Sequence, residues 1–436
     1  MSDQWKLATP LDEIDRGEWW KIFGDEGLND LIIKLNNANQ DIAISYAQYK
    51  QALSLVDQST APFSPTLGAS GYVLKQKPIP SSTNKNATPT VSSTASATVS
   101  WEPDLWGNIS HTVSANEASA QASAAQLAAT KLSMQTSLAQ YYFQLCALDL
   151  QQKILDVNVE VIKKLLKITT DRFKEGVDSR LNIVTIKSQL DAAEVQAIDN
   201  GVLRSQYEHA IAVLVGEPAC SFSISPKNVD LVPPSIPVLL PSQLLERRPD
   251  IAQAERAMAA ANEEIGVAAT AFFPTLTLSG SRGVENSSFG KMLSAPYYIW
   301  SMGPQLAATI FDGGLLRAKE NSAVANYDQA VANYRKVVLA AFQDTEDNLV
   351  SLRLLEKEVK TQKEAVGNAK LQLELVTAEY ISGIAALSDV ITAQINLHTT
   401  RINLNTILQR RMVSSVALVK SLGGGWHKAS INKLSK

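Results

Sequence analysis

The sequence lacks several features that would define the common protein classes. It contains no apolar run of about 18 residues, so no transmembrane helix is predicted. Basic and acidic residues nearly balance, at 40 and 43, which argues against a nucleic-acid binder. The N-terminus has neither the basic nor the apolar segment of a signal peptide. Taken alone, this indicates a cytoplasmic chain, and it fits a mature, processed chain equally well.

Signals of catalysis are also missing. The four histidines have no metal-ligand spacing with each other or with the two cysteines, and no phosphate-binding glycine motif occurs. The acidic group Asp344, Glu346 and Asp347 is best interpreted as a solvated helix stripe rather than as paired catalytic carboxylates. We therefore expect no enzyme activity, no cofactor and no metal site.

What the sequence does contain is a long internal repeat. Asp41-Ile42-Ala43 recurs 209 residues later as Asp250-Ile251-Ala252, and Gly107 recurs 207 residues later as Gly314. Matches in one constant order predict two similar halves, so the repeat must be recognised before any local assignment.

Each half predicts one order of elements: a helix, two strands, a very long helix and a second helix. The first repeat covers 28–215, with a helix over 28–58, strands 66–74 and 91–102, and helices 104–175 and 182–215. The second covers 244–421, with a helix over 244–268, strands 275–283 and 298–310, and helices 314–382 and 385–421. An N-terminal segment (1–27), a proline-rich linker (216–243) and a C-terminal tail (422–436) lie outside the repeats.

The long helices require a packing partner along their length. Apolar residues of the first follow steps of three and four: Leu138, Tyr141, Leu145, Leu148, Leu155, Val159, Ile162 and Leu166. This spacing is typical of a coiled-coil seam. A soluble coiled-coil scaffold has the same pattern and stays open as an alternative.

The strands alternate between polar and apolar residues. In 91–102, one face is Ser, Thr and Glu, while the other is mostly Val, Ala and Trp. Such strands with aromatic residues at their ends are typical of a membrane β-barrel, although a half-buried soluble sheet alternates in the same way. The candidate membrane-interface aromatics are Trp101, Tyr297, Tyr298 and Trp300.

Four strands are too few for a lipid-spanning barrel, since single-chain barrels begin at about eight. Closure would therefore need several chains, and three would supply twelve strands. The long helices would then continue the same cylinder beyond the membrane, around a polar lumen.

The most specific motifs are Leu244-Leu245-Glu246-Arg247-Arg248-Pro249-Asp250-Ile251, Trp101-Glu102-Pro103-Asp104-Leu105-Trp106-Gly107 and Phe311-Asp312-Gly313-Gly314. With them the chain resembles the TolC family of outer-membrane efflux channels, in the lipoprotein branch that serves resistance-nodulation-division (RND) pumps. The resemblance covers nearly the whole chain.

The resemblance implies an α+β membrane protein. Its homotrimer would form a twelve-strand β-barrel in the outer membrane, continuous with a periplasmic twelve-helix α-barrel. It implies a passive duct for drugs or other small molecules, in contact with outer-membrane lipid, a periplasmic adaptor (membrane fusion) protein and an inner-membrane transporter of the RND type. A type I protein-secretion duct of the same fold is the alternative.

One feature of the branch is missing. Its members usually begin with a lipidated cysteine after a signal peptide, whereas the cysteines here are Cys146 and Cys220. A chain from which the leader is missing and a chain without the lipid anchor both fit.

The resemblance places a gate at the helix tips, opened by untwisting of the helix pairs. The candidate constriction residues are Asp389, Thr392, Asn182 and Tyr380. Tyr380 matches a tip tyrosine of the family, but Ala385 replaces its arginine partner. Three copies of Asp389 would form an anionic ring, although a helix-capping role is the alternative. The tips expected to meet the adaptor are Gly176, Val177, Asp178, Ser179, Arg180, Leu181, Gly383, Ile384, Ala385, Ala386 and Leu387.

The two cysteines leave two alternatives. If the hairpin is antiparallel, Cys220 approaches Cys146, and the oxidising periplasm would permit a disulfide. Two free, buried thiols are the other outcome, because the sequence does not fix the distance.

Overall fold

The computed structural model describes residues 17–77, 89–227, 231–234, 248–286 and 298–424. In these ranges the helices are α1 (Glu26–Ala38), α2 (Gln40–Thr60), α3 (Asn108–Lys174), α4 (Arg180–Leu214), α5 (Pro249–Thr270), α6 (Leu315–Ile381) and α7 (Leu387–Ser421). The strands are β1 (Thr66–Gln76), β2 (Thr90–Trp101), β3 (Thr275–Asn286) and β4 (Tyr298–Ala307). Short 3₁₀ helices cover Trp19–Phe23 and Ala61–Phe63.

Both halves contain the same order of elements, and the paired helices have equal lengths. Helices α3 and α6 each have 67 residues, and α4 and α7 each have 35. At 1.5 Å per residue, a helix of 67 residues is roughly 100 Å long. No helix within the described residues is both long enough and apolar enough to span a lipid bilayer.

The single helix expected over 28–58 is wrong, because the chain breaks between α1 and α2. Asn39 has an extended backbone, and its side-chain oxygen accepts a hydrogen bond from the Ile42 backbone N–H at 3.0 Å. Its amide group also donates to the Leu214 carbonyl at 2.9 Å. Asn39 therefore caps α2, as asparagine favours, and joins this break to the end of α4.

The strand boundaries differ from expectation most at β3, which extends to Asn286 rather than 283, and at β4, which ends at Ala307 rather than at 310. The following residues lead into α6, whose first N–H groups are capped by Asp312. Its carboxylate accepts from Gly314 N and Leu316 N, both at 2.8 Å. Asp104 serves α3 in the same way, accepting from Ile109 N at 3.0 Å. An acidic cap at each strand-to-helix junction starts each long helix.

The four strands form one antiparallel sheet in the order β1-β2-β3-β4. The central pair joins the two halves of the chain, with Ser96 opposite Gly283 and Ala97 opposite Arg282. One face is polar, and it carries the Ser281–Ser301 hydrogen bond at 2.8 Å. The other face is largely apolar and exposed, with Trp300 78% accessible.

The chain forms two compact units, one from the described residues of 47–124 and 253–336, the other from those of 1–46, 125–252 and 337–436. The first contains the sheet. The second contains the main apolar core, where Trp19, Leu28, Ile32, Tyr142 and Phe143 are buried together.

A buried arginine reinforces the second unit. Arg248 of the long Arg-Pro-Asp motif is buried, bonds to Asp250 at 2.7 Å and Ser421 O at 3.3 Å, and pairs with Asp344 at 3.4 Å. Asp344 is therefore an ion-pair partner rather than simply part of a solvated stripe.

Pro249 is the first residue of α5, a position that suits proline, while 244–247 of the expected helix lie outside the described residues.

The structure contains no disulfide between the two cysteines, and the alternative of two free, buried thiols holds except that Cys220 is exposed. Both cysteines are free, with Cys146 buried and Cys220 exposed. The turn after α4, closed by a Ser221 N to Pro218 O hydrogen bond at 3.0 Å, presents Cys220 to solvent. Cys146 instead packs in the core beside Tyr142 and Phe143.

We expect a thiol reagent to modify one cysteine of the folded protein quickly. Burial, followed by the nearby charges of Asp25 and Asp149, raises the pKa of the Cys146 thiol to about 12, so the reactive thiolate is scarce. Labelling at pH 8 should give one fast site per chain, and Cys220→Ser should abolish it. Two fast sites in the native protein would contradict this packing.

Candidate functional site: the helix tips

The two helical hairpins end in the same kind of turn. Gly176 and Gly383 have left-handed φ angles of 76° and 80°, which glycine adopts without strain. In the first turn, Val177 N donates to Arg172 O at 2.9 Å, and in the second, Ile384 N donates to Glu379 O at 2.9 Å. These bonds satisfy the last carbonyl groups of α3 and α6.

A polar cluster around Asp178 joins the two turns. The Tyr380 hydroxyl at the end of α6 donates to Asp178 Oδ2 at 3.0 Å. From the first hairpin, Asn182 Nδ2 and Ser179 N donate to Asp178 Oδ1 at 2.5 and 2.9 Å. Arg172 Nε lies 3.6 Å from Asp178 Oδ2, and its guanidinium group lies 4.9 Å from the centre of the Tyr380 ring. We call these five residues the Asp178 cluster.

The Asp178 side chain is only 7% exposed, so its partners determine its charge state. Burial alone would raise the pKa of this carboxyl, but the hydrogen bonds from Asn182, Ser179 and Tyr380 and the charge of Arg172 outweigh it. The pKa is therefore held below its usual value of 3.8. The pKa of Tyr380 is raised, first by burial and then by its bond to Asp178. Both shifts favour one arrangement, an ionised Asp178 accepting from a neutral Tyr380.

Apolar packing supports the cluster from inside. Tyr380, Leu387 and Val390 from the second hairpin are buried against Ile162 and Ile186 from the first. The Asp178 cluster adds charge-assisted hydrogen bonds to this apolar contact, so both help to hold the tips together.

Amides also link the two hairpins further from the tips. Gln394 Nε2 donates to Asn158 Oδ1 at 2.8 Å, and Asn405 Nδ2 donates to Ala147 O at 2.9 Å, both in buried positions. The sequence analysis did not find these bonds. Their only signal was polar residues at buried positions of a heptad, which fix the register of packed helices.

The structure brings two of the four predicted constriction residues together and places the other two elsewhere. Asn182 and Tyr380 meet at Asp178. Asp389 and Thr392 do not join them. The Asp389 carboxylate accepts from Ala386 N at 3.1 Å, which caps α7, and Thr392 donates to Ser388 O at 2.7 Å. The capping alternative for Asp389 thus has direct support, while its role in a ring stays a prediction.

The tip tyrosine does have a cationic neighbour, although not the one that the family pattern predicts. Ala385 does replace the arginine that the resemblance leads one to seek beside Tyr380, but Arg172 supplies a cation from the other hairpin. Sequence reasoning missed Arg172 because Tyr380, whose ring it faces, lies about two hundred residues away along the chain. It identified Asp178 only as an adaptor contact.

The candidate interface aromatics lie at the ends of the sheet. Trp101, at the end of β2, donates from Nε1 to the Phe63 carbonyl at 3.0 Å, and Tyr298 and Trp300 begin β4. Tyr297 lies outside the described residues. A pair that the sequence analysis missed is Trp106 and Phe273, whose rings stack with centroids 5.0 Å apart.

The family model for outer membrane efflux proteins matches residues 31–217 and 240–424. The chain therefore belongs to this family, whose members act in transport. The predictions of an α+β fold of the TolC type, of an outer-membrane location and of an efflux role are confirmed. The interpretation as a soluble coiled-coil scaffold is wrong.

Among similar proteins, the pyoverdine export outer membrane protein OpmQ of Pseudomonas aeruginosa is 31% identical over 97% of this chain and 91% of its own. The probable efflux pump outer membrane protein TtgC of Pseudomonas putida is 27% identical over 94% and 85%. Among solved structures, the outer-membrane channel OprN has a TM-score of 0.89 at 24% identity, covering 96% of this chain and 98% of that one. VceC of Vibrio cholerae has a TM-score of 0.85 at 24% identity, covering 93% and 98%.

Proposed function

We propose that this protein is the passive outer-membrane exit duct of a tripartite efflux system and that the Asp178 cluster latches its periplasmic end. In this proposal three copies assemble, a periplasmic adaptor contacts their helix tips, and an inner-membrane transporter of the RND type supplies the energy. The observation that carries the latch is the buried Asp178 carboxylate, which binds residues of both hairpins.

The sheet supports assembly. Within the described residues, β1 and β4 each pair with one strand only, so each leaves one edge open. Unpaired backbone groups are costly in lipid, where water cannot satisfy them. Joining β4 of one copy to β1 of the next would satisfy both edges, and three copies would close twelve strands, within the known range for such barrels.

The tips offer a docking surface for the adaptor. Val177, Leu181 and Ile384 are 65%, 72% and 79% exposed, beside the two glycine turns. Apolar side chains grouped at an exposed turn are typical of protein–protein contact sites. Because Val177 precedes Asp178 in the first turn and Ile384 follows Tyr380 by four residues in the second, adaptor binding at the turns is well placed to release the cluster.

The cargo is proposed to be small molecules, in line with the relatives named for pyoverdine export and toluene efflux. The names of these relatives specify different cargoes. A duct that serves both kinds of system need not recognise either, so the transporter would choose the cargo.

The latch predicts how channel conductance responds to acid. Because the pKa of Asp178 is lowered in the latched state, its contribution is complete at neutral pH and is lost only as the pH falls below its usual value of 3.8. Wild-type protein in planar bilayers should therefore conduct weakly and equally from pH 7 to pH 5, and more strongly below about pH 4. Asp178→Asn should be already open and lack this rise.

Two results would separate the parts of the proposal. If neither wild type nor Asp178→Asn conducts at any pH, the proposal of a duct is excluded. Wild-type channels that are fully open at pH 7 would retain the duct and exclude the Asp178 cluster as its latch.

A further inference from the structure

Arg282 is a charged residue in an unusual position, on the apolar face of the sheet. Along β3 this face also carries Leu276, Leu278 and Val284, while Ser281 and Glu285 face the opposite, polar side. Glu285 is engaged there, accepting a hydrogen bond from Ser92 Oγ at 2.8 Å. In a sheet that spans the outer membrane, the apolar face is the one that meets lipid.

The strand register fixes the neighbours of Arg282. It lies opposite Ala97 of β2 on one side and opposite Trp300 of β4 on the other. The preceding residue on the same face is Gly280. Ala97 and Gly280 have little or no side chain, so they leave space beside Arg282, and Trp300 is the larger of its two directly paired neighbours on the adjacent strands.

Arg282 lies in the outer half of the membrane-spanning sheet. Strand β3 begins at Thr275. Beside its start lie the C-terminal ends of β2 and β4, from which the chain continues into the long helices α3 and α6, so this end of the sheet faces the periplasm. Seven residues at 3.3 Å are roughly 23 Å of strand, or about 18 Å of height at a tilt near 40°. The apolar band is about 25 Å tall, so the long arginine side chain can reach the outer interface.

The arginine has no protein counter-charge in the described part of the chain, where no carboxylate forms an ion pair with it. A cation on the lipid face is unfavourable unless it reaches a polar partner. The partners at that depth are the headgroups of outer-leaflet lipids, whose phosphates match the bidentate geometry of a guanidinium group.

We propose that Arg282 and Trp300 form a binding site for the phosphate of an outer-leaflet lipid. The guanidinium group binds the phosphate, the indole ring lies at the headgroup level where tryptophan is favoured, and the acyl chains lie along the surface formed by Ala97 and Gly280. Lys75, one residue from the outer end of β1 on the same face, adds positive charge nearer the headgroups.

The test uses the full chain, purified in detergent, delipidated and mixed with lipid A, the diphosphorylated glycolipid of the outer leaflet. Native mass spectrometry would count bound lipid for wild type, Arg282→Gln, Arg282→Lys and the control Arg317→Gln. Arg317 is an exposed arginine at the start of α6 that pairs with Glu320. We expect Arg282→Gln to bind roughly tenfold more weakly, Arg282→Lys to fall between, and Arg317→Gln to match wild type.

Two further probes identify the ligand. Dephosphorylated lipid A should bind wild type no better than it binds Arg282→Gln, and inorganic phosphate alone should not compete at millimolar concentration. Because Arg282→Gln removes a charge from an apolar face, it should fold at least as stably as wild type, which a melting curve would check. Equal binding of lipid A by wild type and Arg282→Gln would overturn the proposal, as would equal binding with and without the lipid phosphates.

Discussion

Asp178→Asn is expected to raise the open probability of single channels at neutral pH by roughly 10- to 100-fold. The substitution keeps the size of the side chain but removes the charge that Tyr380, Asn182 and Arg172 all face. Hydrogen bonds to a charged group contribute about 1.5–3 kcal/mol, and each 1.4 kcal/mol changes an equilibrium tenfold. Planar-bilayer recording at pH 7 measures this directly.

Two matched variants separate the latch from general loss of charge. Asp171 lies near the end of the same helix, exposed and paired only with Lys174, so Asp171→Asn should leave the open probability unchanged. Asp389→Asn tests the predicted anionic ring. If it lowers cation preference without changing open probability, the ring and the latch are separate devices. An Asp178→Asn channel as closed as wild type would reject the latch.

Arg204→Ala is expected to lower the free energy of unfolding by about 3–5 kcal/mol, the usual cost of breaking a buried ion pair from one side. Arg204 Nε donates to Asp149 Oδ1 at 2.6 Å, and Asp149 is only 3% exposed. Arg204 also pairs with Glu208 at 3.2 Å and donates to the Ile224 carbonyl at 2.6 Å. Without the arginine, two largely buried carboxylates would lose their counter-charge and keep only backbone donors, and the linker would lose an anchor. Denaturant unfolding in detergent measures the effect.

An exposed ion pair supplies the control. Arg410 lies 3.9 Å from Glu358, and both side chains are well solvated, so Arg410→Ala should cost no more than about 0.5 kcal/mol. Equal stabilities for the Arg204 and Arg410 variants would mean that the buried network contributes little. In that case the linker would be held by apolar contacts such as those of Phe222 and Ile224 with the core.

The long helices and the strands were predictable because their signals are local and repeated. Helices α3 and α6 follow continuous runs of good helix formers and end where Gly176 and Gly383 permit a left-handed turn. The alternating strands showed which faces are polar. The order of the strands was not predicted, because the β2–β3 pairing joins residues nearly two hundred positions apart.

The features that were not predicted depend on tertiary contacts, which local sequence patterns do not reveal. The break at Asn39 depends on the Leu214 carbonyl, a partner on another helix. Cys220 is exposed because of the path that the chain takes after α4. Comparing the positions of the helix ends alone did not show this. At the tips, sequence matching found Tyr380 and Asn182 but did not identify Asp178 as their common partner, because a hydrogen bond between hairpins leaves no periodic signal in either.

A double-mutant cycle on Asp178 and Tyr380 tests the latch most directly. The single variants Asp178→Asn and Tyr380→Phe and the double variant would be compared with wild type by single-channel open probability at pH 7. If the 3.0 Å contact between these residues holds the hairpins together, the effects are not additive, and the double variant opens little more than Asp178→Asn alone. Fully additive effects would show that the two residues act independently and would contradict the latch.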